Sequence, residues 1–320
     1  AGRKLESKAD MARGGAPTRT RGGDVSRTFG AQSMVSPLLR VIVRAPGRAF
    51  ASADPVRWHY TGQPDLTRAQ AEHRLLVDLL VGSGVEVISH AAELPDLADA
   101  IYVHDPALVT DRGAVLLRMG KSLRRGEEQA LGDCLERAGV PLLGRLTGAA
   151  MAEAGDCLWL DEETLAVGLG ARTNAAGMDQ LRGLLGPSVR LFPVTLPVPE
   201  TPDSCLHLMS FISLVDERLA VVYSSLLPPD FRQELERRGI ALVEVPEAEY
   251  PSMGPNVLAL APLRCLMLDG NPVTRKRLEA AGAGHRTQQR EVGGHRLPQV
   301  GDRVELRVER PERTPYRLLD

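Results

Sequence analysis

Between residues 36 and 283 one pattern recurs at a spacing of roughly fifty residues, a period that signals a repeat architecture. Two short apolar strands are joined by a polar turn, an amphipathic helix follows, and another strand closes the unit. The clearest copy runs LHLMSFISLV, a turn at Asp216-Glu217-Arg218, then LAVVYSSLL. After Pro228-Pro229 comes the helix DFRQELERRG and the closing strand IALVEVP. Phe231 and Leu235 fall one helical turn apart, and Gly239 is a natural stop after the last turn. The other copies are LRVIVRAP with helix LTRAQAEHRLLVDLLVGSG and strand VEVISH; AIYVHDPALVTDRGAVLLRM with GEEQALGDCLERAG and VPLLGRL; CLWLDEETLAVGLG with AAGMDQLRGLLG and VRLFPVTLP; and NVLALAPLRCLMLDG with TRKRLEAAG. Five strand–strand–helix–strand units predict an α/β protein with sheet pieces inside and helices outside. The helices argue against an all-β propeller.

The chain has 320 residues, enough for an ample core, and aromatic residues are only 4%, so that core is aliphatic. A net charge of −2 argues against a general nucleic-acid binder. No apolar run reaches the ~18 residues of a membrane span, so no membrane partner is expected. Cys134, Cys157, Cys205 and Cys265 form no CxxC pair, which excludes zinc-ribbon and thioredoxin-type readings. Reduced thiols and a cytoplasmic location are expected. His59 with His73, and His90 with His104, lack metal-ligand spacing, and no nucleotide-binding glycine loop occurs. No metal and no cofactor are therefore expected. Residues 1–35, rich in Arg, Gly and Ser, are expected to be a disordered leader. Residues 36–283 carry the repeats. Residues 284–320 form an atypical tail, in which only VELRV reads as a strand.

Six segments then line up in order with one family. ADAIYVHDPALVT resembles the dimethylargininase element PDxxFVEDPAL, LRRGE resembles SRRGE, and EAGD matches its EAGD or EGGD element. GLGARTNAAG resembles GxSARTNxxG, LHLMS resembles LHLKS, and DGNPVTRKRLEAAG resembles the hairpin-to-helix segment before the catalytic cysteine. The chain thus resembles dimethylarginine dimethylaminohydrolases of the amidinotransferase superfamily. The resemblance implies the pentein fold, a five-bladed α/β propeller of ββαβ repeats in pseudo-fivefold arrangement.

The resemblance also implies a chemistry. A cysteine thiolate attacks the guanidinium carbon of arginine or a methylated arginine and an amine leaves. The covalent thiouronium intermediate is then hydrolysed to citrulline. His207 is implied as general acid/base, a role suited to its near-neutral pKa. From its alternating surroundings, His207 reads as a strand residue. Glu153 is implied to bind the guanidinium, as a carboxylate accepting two parallel hydrogen bonds can; from sequence alone it also reads as a surface carboxylate near a tight turn, with Asp156 bracing that turn. Asp99 and Asp105, read as flanking a strand IYVH, are implied as further guanidinium ligands, although Asp105-Pro106 also reads as a bare turn. Arg124 and Arg172 are implied to clamp the substrate α-carboxylate, for which an arginine fork is well shaped; Arg124 otherwise reads as a loop charge. His104 stands where the family usually has Glu.

The nucleophile is unknown. The family's GGxxC turn has no counterpart: Gly293-Gly294 is followed by His295, Arg296 and Leu297, and no cysteine follows Cys265. Cys265 reads as a buried strand residue. The tail is either a shifted reading frame or the mark of a diverged paralogue. An amidinotransferase, and a binder of arginine derivatives without turnover, stand beside the hydrolase reading. The expected partner is a small arginine-type guanidine, with a homodimer left open.

Overall fold

A computed structural model describes residues 29–198 and 206–286. Most of the leader, Cys205 and the tail beyond residue 286, with its VELRV segment, lie outside these residues. Three of the repeats have the full predicted order. In the first of them β3 (Ala107–Thr110) pairs antiparallel with β4 (Gly113–Leu116), α4 (Glu127–Arg137) follows, and β5 (Leu142–Arg145) pairs parallel with β4. The next has β6 (Cys157–Asp161), β7 (Thr164–Leu169), α5 (Ala175–Leu185) and β8 (Arg190–Thr195) in the same arrangement. The third has β9 (Ile212–Asp216), β10 (Leu219–Val222), α6 (Pro229–Arg237) and β11 (Ala241–Glu244). A parallel third strand requires a crossover, and the amphipathic helix supplies it.

The terminal units are shorter among the described residues. The first consists of β1 (Arg40–Val43), two single-turn helices α1 (Arg48–Ala51) and α2 (Pro55–Trp58), α3 (Leu66–Gly82), and β2 (Glu86–Ser89) parallel to β1. The last has an antiparallel pair, β12 (Val257–Ala261) and β13 (Arg264–Met267), followed by α7 (Pro272–Arg286). Among the described residues, the predicted five units are thus seen as three full units and two partial ones. Polar caps start the helices where the sequence allows. The Asp65 carboxylate accepts the Arg68 amide at α3, and Asn174 accepts the Gly177 amide at α5.

Shared apolar clusters bind each sheet to the next. Ile42 of β1 packs with Ala107, Ala114 and Leu116. Leu108 and Val115 pack with Cys157, Trp159 and Leu165. Leu158 and Ala166 pack with Ile212, Leu214 and Ala220. Val215 and Leu219 pack with Val257. Leu260 and Leu266 then pack with Leu80, Val85, Val41 and Val43, which joins the last sheet to the first. The Leu38 amide donates to the Leu260 carbonyl across that same junction (2.9 Å). Ordered packing begins before residue 36: Val35 is buried and Met34 packs against two clusters.

Two local expectations are corrected. IYVH is no strand: Ala98–Ile101 is a single 3-10 turn, and β3 starts only at Ala107. LHLMS is likewise a turn over Leu208–Ser210, with His207 extended just before it. In both places polar side chains, described next, claim the backbone that a strand ladder would use.

Candidate active site

The core of the site is Glu153, whose side chain is wholly buried. Its Oε1 accepts the backbone amides of Gly120 (2.8 Å) and Lys121 (3.2 Å). Arg172 Nη1 donates to both carboxylate oxygens at 3.2 Å. His207 Nε2 lies 2.9 Å from Oε2. Burial works to raise the Glu153 pKa, but the hydrogen bond from His207 and the charge of Arg172 outweigh it, and the group is held at about 2. An ionised carboxylate only accepts hydrogen bonds, so the Nε2 proton of His207 faces Glu153. The His207 side chain also accepts the Ser210 backbone amide in the cap of the turn that follows, so the ring is held from both sides.

Two glycines make this approach possible. A Cβ on Gly155 would stand 2.7 Å from His207 Nδ1 and 3.2 Å from Asp105 Oδ1. A Cβ on Gly120 would stand 2.7 Å from both the Cα and the carbonyl oxygen of Arg172. Distances under 3 Å exclude a methyl group unless the neighbour moves. Asp156 does brace the turn. It accepts the Thr173 hydroxyl (2.6 Å) and the Leu208 amide (3.0 Å), and burial pushes its pKa up to about 6 against these bonds. The Leu208 bond is what draws the backbone after His207 out of a strand.

Asp105 and Arg124 form a second buried layer. Arg124 Nη1 donates to Asp105 Oδ2 (2.6 Å), Nε and Nη2 grip Glu127, and Nη2 also reaches the Tyr102 carbonyl (3.1 Å). Burial opposes the charge on each, yet mutual attraction wins: Arg124 is held protonated and Asp105 lies below the usual carboxylate range. The Asp105 carbonyl accepts the Ala154 amide (3.0 Å), and His104 Nε2 lies 3.1 Å from the Ala154 carbonyl. His104 thus stitches its own segment to the Glu153 turn.

Asp99 completes the cluster. Its Oδ1 accepts the Tyr60 hydroxyl and its Oδ2 accepts the Lys121 ammonium, each at 2.6 Å. Lys121 also donates to the Trp58 carbonyl (3.0 Å), with its nitrogen 5.0 Å from the centre of the Trp58 ring. Burial, then Asp99, drive the Tyr60 phenol pKa far upward, so it remains a donor.

All six sequence-indicated residues, Asp99, Asp105, Arg124, Glu153, Arg172 and His207, thus fall in one connected network. Arg124 and Arg172 lie inside it, on Asp105, Glu127 and Glu153, rather than as loop charges. The sequence reading assigned no site role to Lys121, Tyr60, Trp58 or Glu127. The Arg124–Glu127 spacing of one helical turn was a usable signal for that pair; nothing in the sequence pointed to the others. Of the described cysteines, Cys134 and Cys157 are buried, and burial drives the Cys157 thiol pKa far above its usual range, the wrong direction for a nucleophile. Cys265 lies half-buried on β13, as a strand cysteine.

A family model of eukaryotic N,N dimethylarginine dimethylhydrolases matches residues 57–269, which span this network and four of the five sheets. The chain belongs to this family. Among relatives of the dimethylarginine dimethylhydrolase family, the N(G),N(G)-dimethylarginine dimethylaminohydrolase of Pseudomonas aeruginosa is 27% identical over 250 residues, covering 76% of this chain and 89% of that protein. A solved structure of a mutant of the Pseudomonas aeruginosa enzyme, complexed with citrulline, superposes with a TM-score of 0.62 at 24% identity, covering 77% of this chain and 90% of the other. SxtG, an amidinotransferase from Microseira wollei, superposes with a TM-score of 0.63 at 17% identity, covering 79% and 89%. At these identities the structures speak to the fold, which the family and the amidinotransferases share. No helix among the described residues is long and apolar enough to cross a membrane.

Proposed function

We propose that this chain binds arginine-type guanidines in the Glu153–His207 network and that its reaction class is guanidinium hydrolysis to a ureido product such as citrulline. The observation that carries the reading is the His207–Glu153 pair. A buried, ionised carboxylate orients the imidazole and favours its protonated form, which suits it to proton exchange with a leaving amine and with water. Glu153, Asp105 and Asp99 would supply the negative field that a planar cation needs, and Arg172 would favour a ligand carboxylate, while Arg124, engaged by Asp105 and Glu127, would hold those carboxylates in place rather than clamp the ligand. The cyclic succession of apolar contacts, last sheet to first, supports the five-bladed propeller arrangement of these units. Cytoplasmic location belongs to the same reading.

The covalent step of the family needs a thiolate, and neither Cys134 nor Cys157 is suited to supply one. This favours a second reading, a guanidine-binding relative without turnover. Incubation with arginine and with asymmetric dimethylarginine, followed by a citrulline assay, separates the two. Citrulline formation that is lost in His207→Ala supports the hydrolase; saturable arginine binding without citrulline supports the binder. Neither product nor binding refutes both. Transfer of the amidino group, seen only when an acceptor amine is added, would instead place the chain with the amidinotransferases.

A further inference from the structure

A second concavity lies beside the charged network. A cavity of about 270 Å³ opens where β4 and β5 end and α4 begins. Its walls carry Arg118, Arg125 and Arg145, together with Glu128 and Gln129 from the first turn of α4. The one carboxylate is already committed to the backbone: Glu128 Oε1 accepts the Met119 amide (3.0 Å) and Oε2 the Gly126 amide (2.6 Å). Arg145 donates to the side-chain oxygen of Gln129 (2.8 Å), which in turn donates to Asp133 (2.7 Å), so a neutral group positions it. The Arg118 and Arg125 side chains have no hydrogen-bond or ion-pair partner among the described residues. Elsewhere, arginines that gather do so on an acid, as Arg190, Arg237 and Arg238 do on Glu234. Like charges collected without such an acid repel one another, and an anion placed between them relieves that repulsion. The start of α4 adds the positive end of a helix dipole at the same place. Leu116 and Leu146, both buried, form the apolar part of the wall, and a less polar wall strengthens each charge interaction beside it.

We propose that this cavity is a second binding site, for the phosphoryl dianion of free phosphate or of a small phosphate monoester. Three arginines against one carboxylate leave an excess of positive charge that a phosphoryl group, close to doubly charged at neutral pH, balances. A guanidinium fork can pair two phosphate oxygens at once. The volume falls just below the about 300–1,000 Å³ of sites for drug-sized ligands, which suits a small anion. Arg124 and Arg172 take no part, since Asp105, Glu127 and Glu153 hold them. The proposal therefore does not depend on the guanidine reading.

The test is calorimetric titration of the full chain, at low ionic strength, with inorganic phosphate and with glycerol 3-phosphate. Wild type is expected to bind at least one of them saturably, with a Kd on the order of 1 mM or tighter. Arg118→Gln and Arg125→Gln should each weaken that binding about tenfold, the scale of one charge-assisted hydrogen bond. Arg218→Gln, which removes an exposed arginine from the turn between β9 and β10, should change it less than about twofold. Circular dichroism confirms folding, and either cavity variant suffices should the other be unstable. Tighter binding of the ester assigns the site to phosphate monoesters, and equal or tighter binding of the free ion assigns it to phosphate itself. No saturable binding of either probe by wild type overturns the proposal. So does binding that the cavity variants leave intact, or that all three variants weaken alike.

Discussion

Replacing Glu153 by Gln tests the centre of the site without changing its shape. The carboxylate is wholly buried and receives two backbone amides, Arg172 and His207. Its pKa falls from 4.5 to about 2 on folding. That difference corresponds to about 3 kcal/mol of native stability at neutral pH. Because the folded pKa is depressed, the contribution is complete above the unfolded value and is lost as pH falls toward 2. At pH 3 less than half of it should remain. Gln carries no charge at any pH, and its amide, like a protonated carboxyl, turns one donor toward the donors around it. Glu153→Gln is therefore expected to be about 3 kcal/mol less stable than wild type at pH 7, with the gap at least halved at pH 3. Asp156 works in the opposite sense, its raised pKa removing stability as pH climbs toward 6, but it is common to both proteins and cancels in the difference. Urea unfolding followed by circular dichroism at both pH values measures the gap. A gap that is absent, or equal at pH 7 and pH 3, would refute the claim that an ionised Glu153 anchors the site.

Other outcomes follow from single contacts. Gly155→Ala should cost about 1–3 kcal/mol and drive His207 away from Glu153, because the new methyl stands 2.7 Å from Nδ1; urea unfolding gives the cost, and an unmoved imidazole resonance in NMR would contradict the geometry. Arg124→Lys exchanges a fork on Glu127 and Asp105 for one point charge, and a loss of about 3 kcal/mol is expected from the broken buried pairs; a change under 1 kcal/mol by chemical denaturation would show those contacts to be dispensable. Cys134 and Cys157 should resist a thiol reagent in the folded chain and react after unfolding. Mass spectrometry of the labelled sites reads this directly, and rapid labelling of Cys157 at neutral pH would reopen it as a nucleophile.

The sequence exposes the repeat because helix spacing and its stop signals are local. Phe231 and Leu235 are both buried on one face of α6, and Gly239 takes the left-handed conformation past its end, as read from the residues alone. The two turn segments were misread because their apolar alternation is also local, whereas the bonds that bend them are not. Leu208 is held by Asp156 from another repeat, and Asp105 by Arg124 across a hairpin. The same distance hides Lys121 and Tyr60, whose meeting at Asp99 joins three separate stretches of chain. Motif resemblance did mark the six residues of the cluster, since each sits in a short, recognisable string. It could not reveal that those carboxylates already hold cations of their own.

The junction between the last sheet and the first has a consequence for how the molecule is made. Leu38 must wait for Leu260, and β1 for β12 and β13, before that junction forms. Every side chain of the charged network, from Tyr60 to His207, leaves the ribosome earlier. During that interval the network can assemble while one flank of the first sheet is still bare, and Leu80 and Val85 are exposed to whatever else is nearby. A pause in translation before Val257 would lengthen that exposure, and slow codons there would act on solubility without altering a single residue of the site.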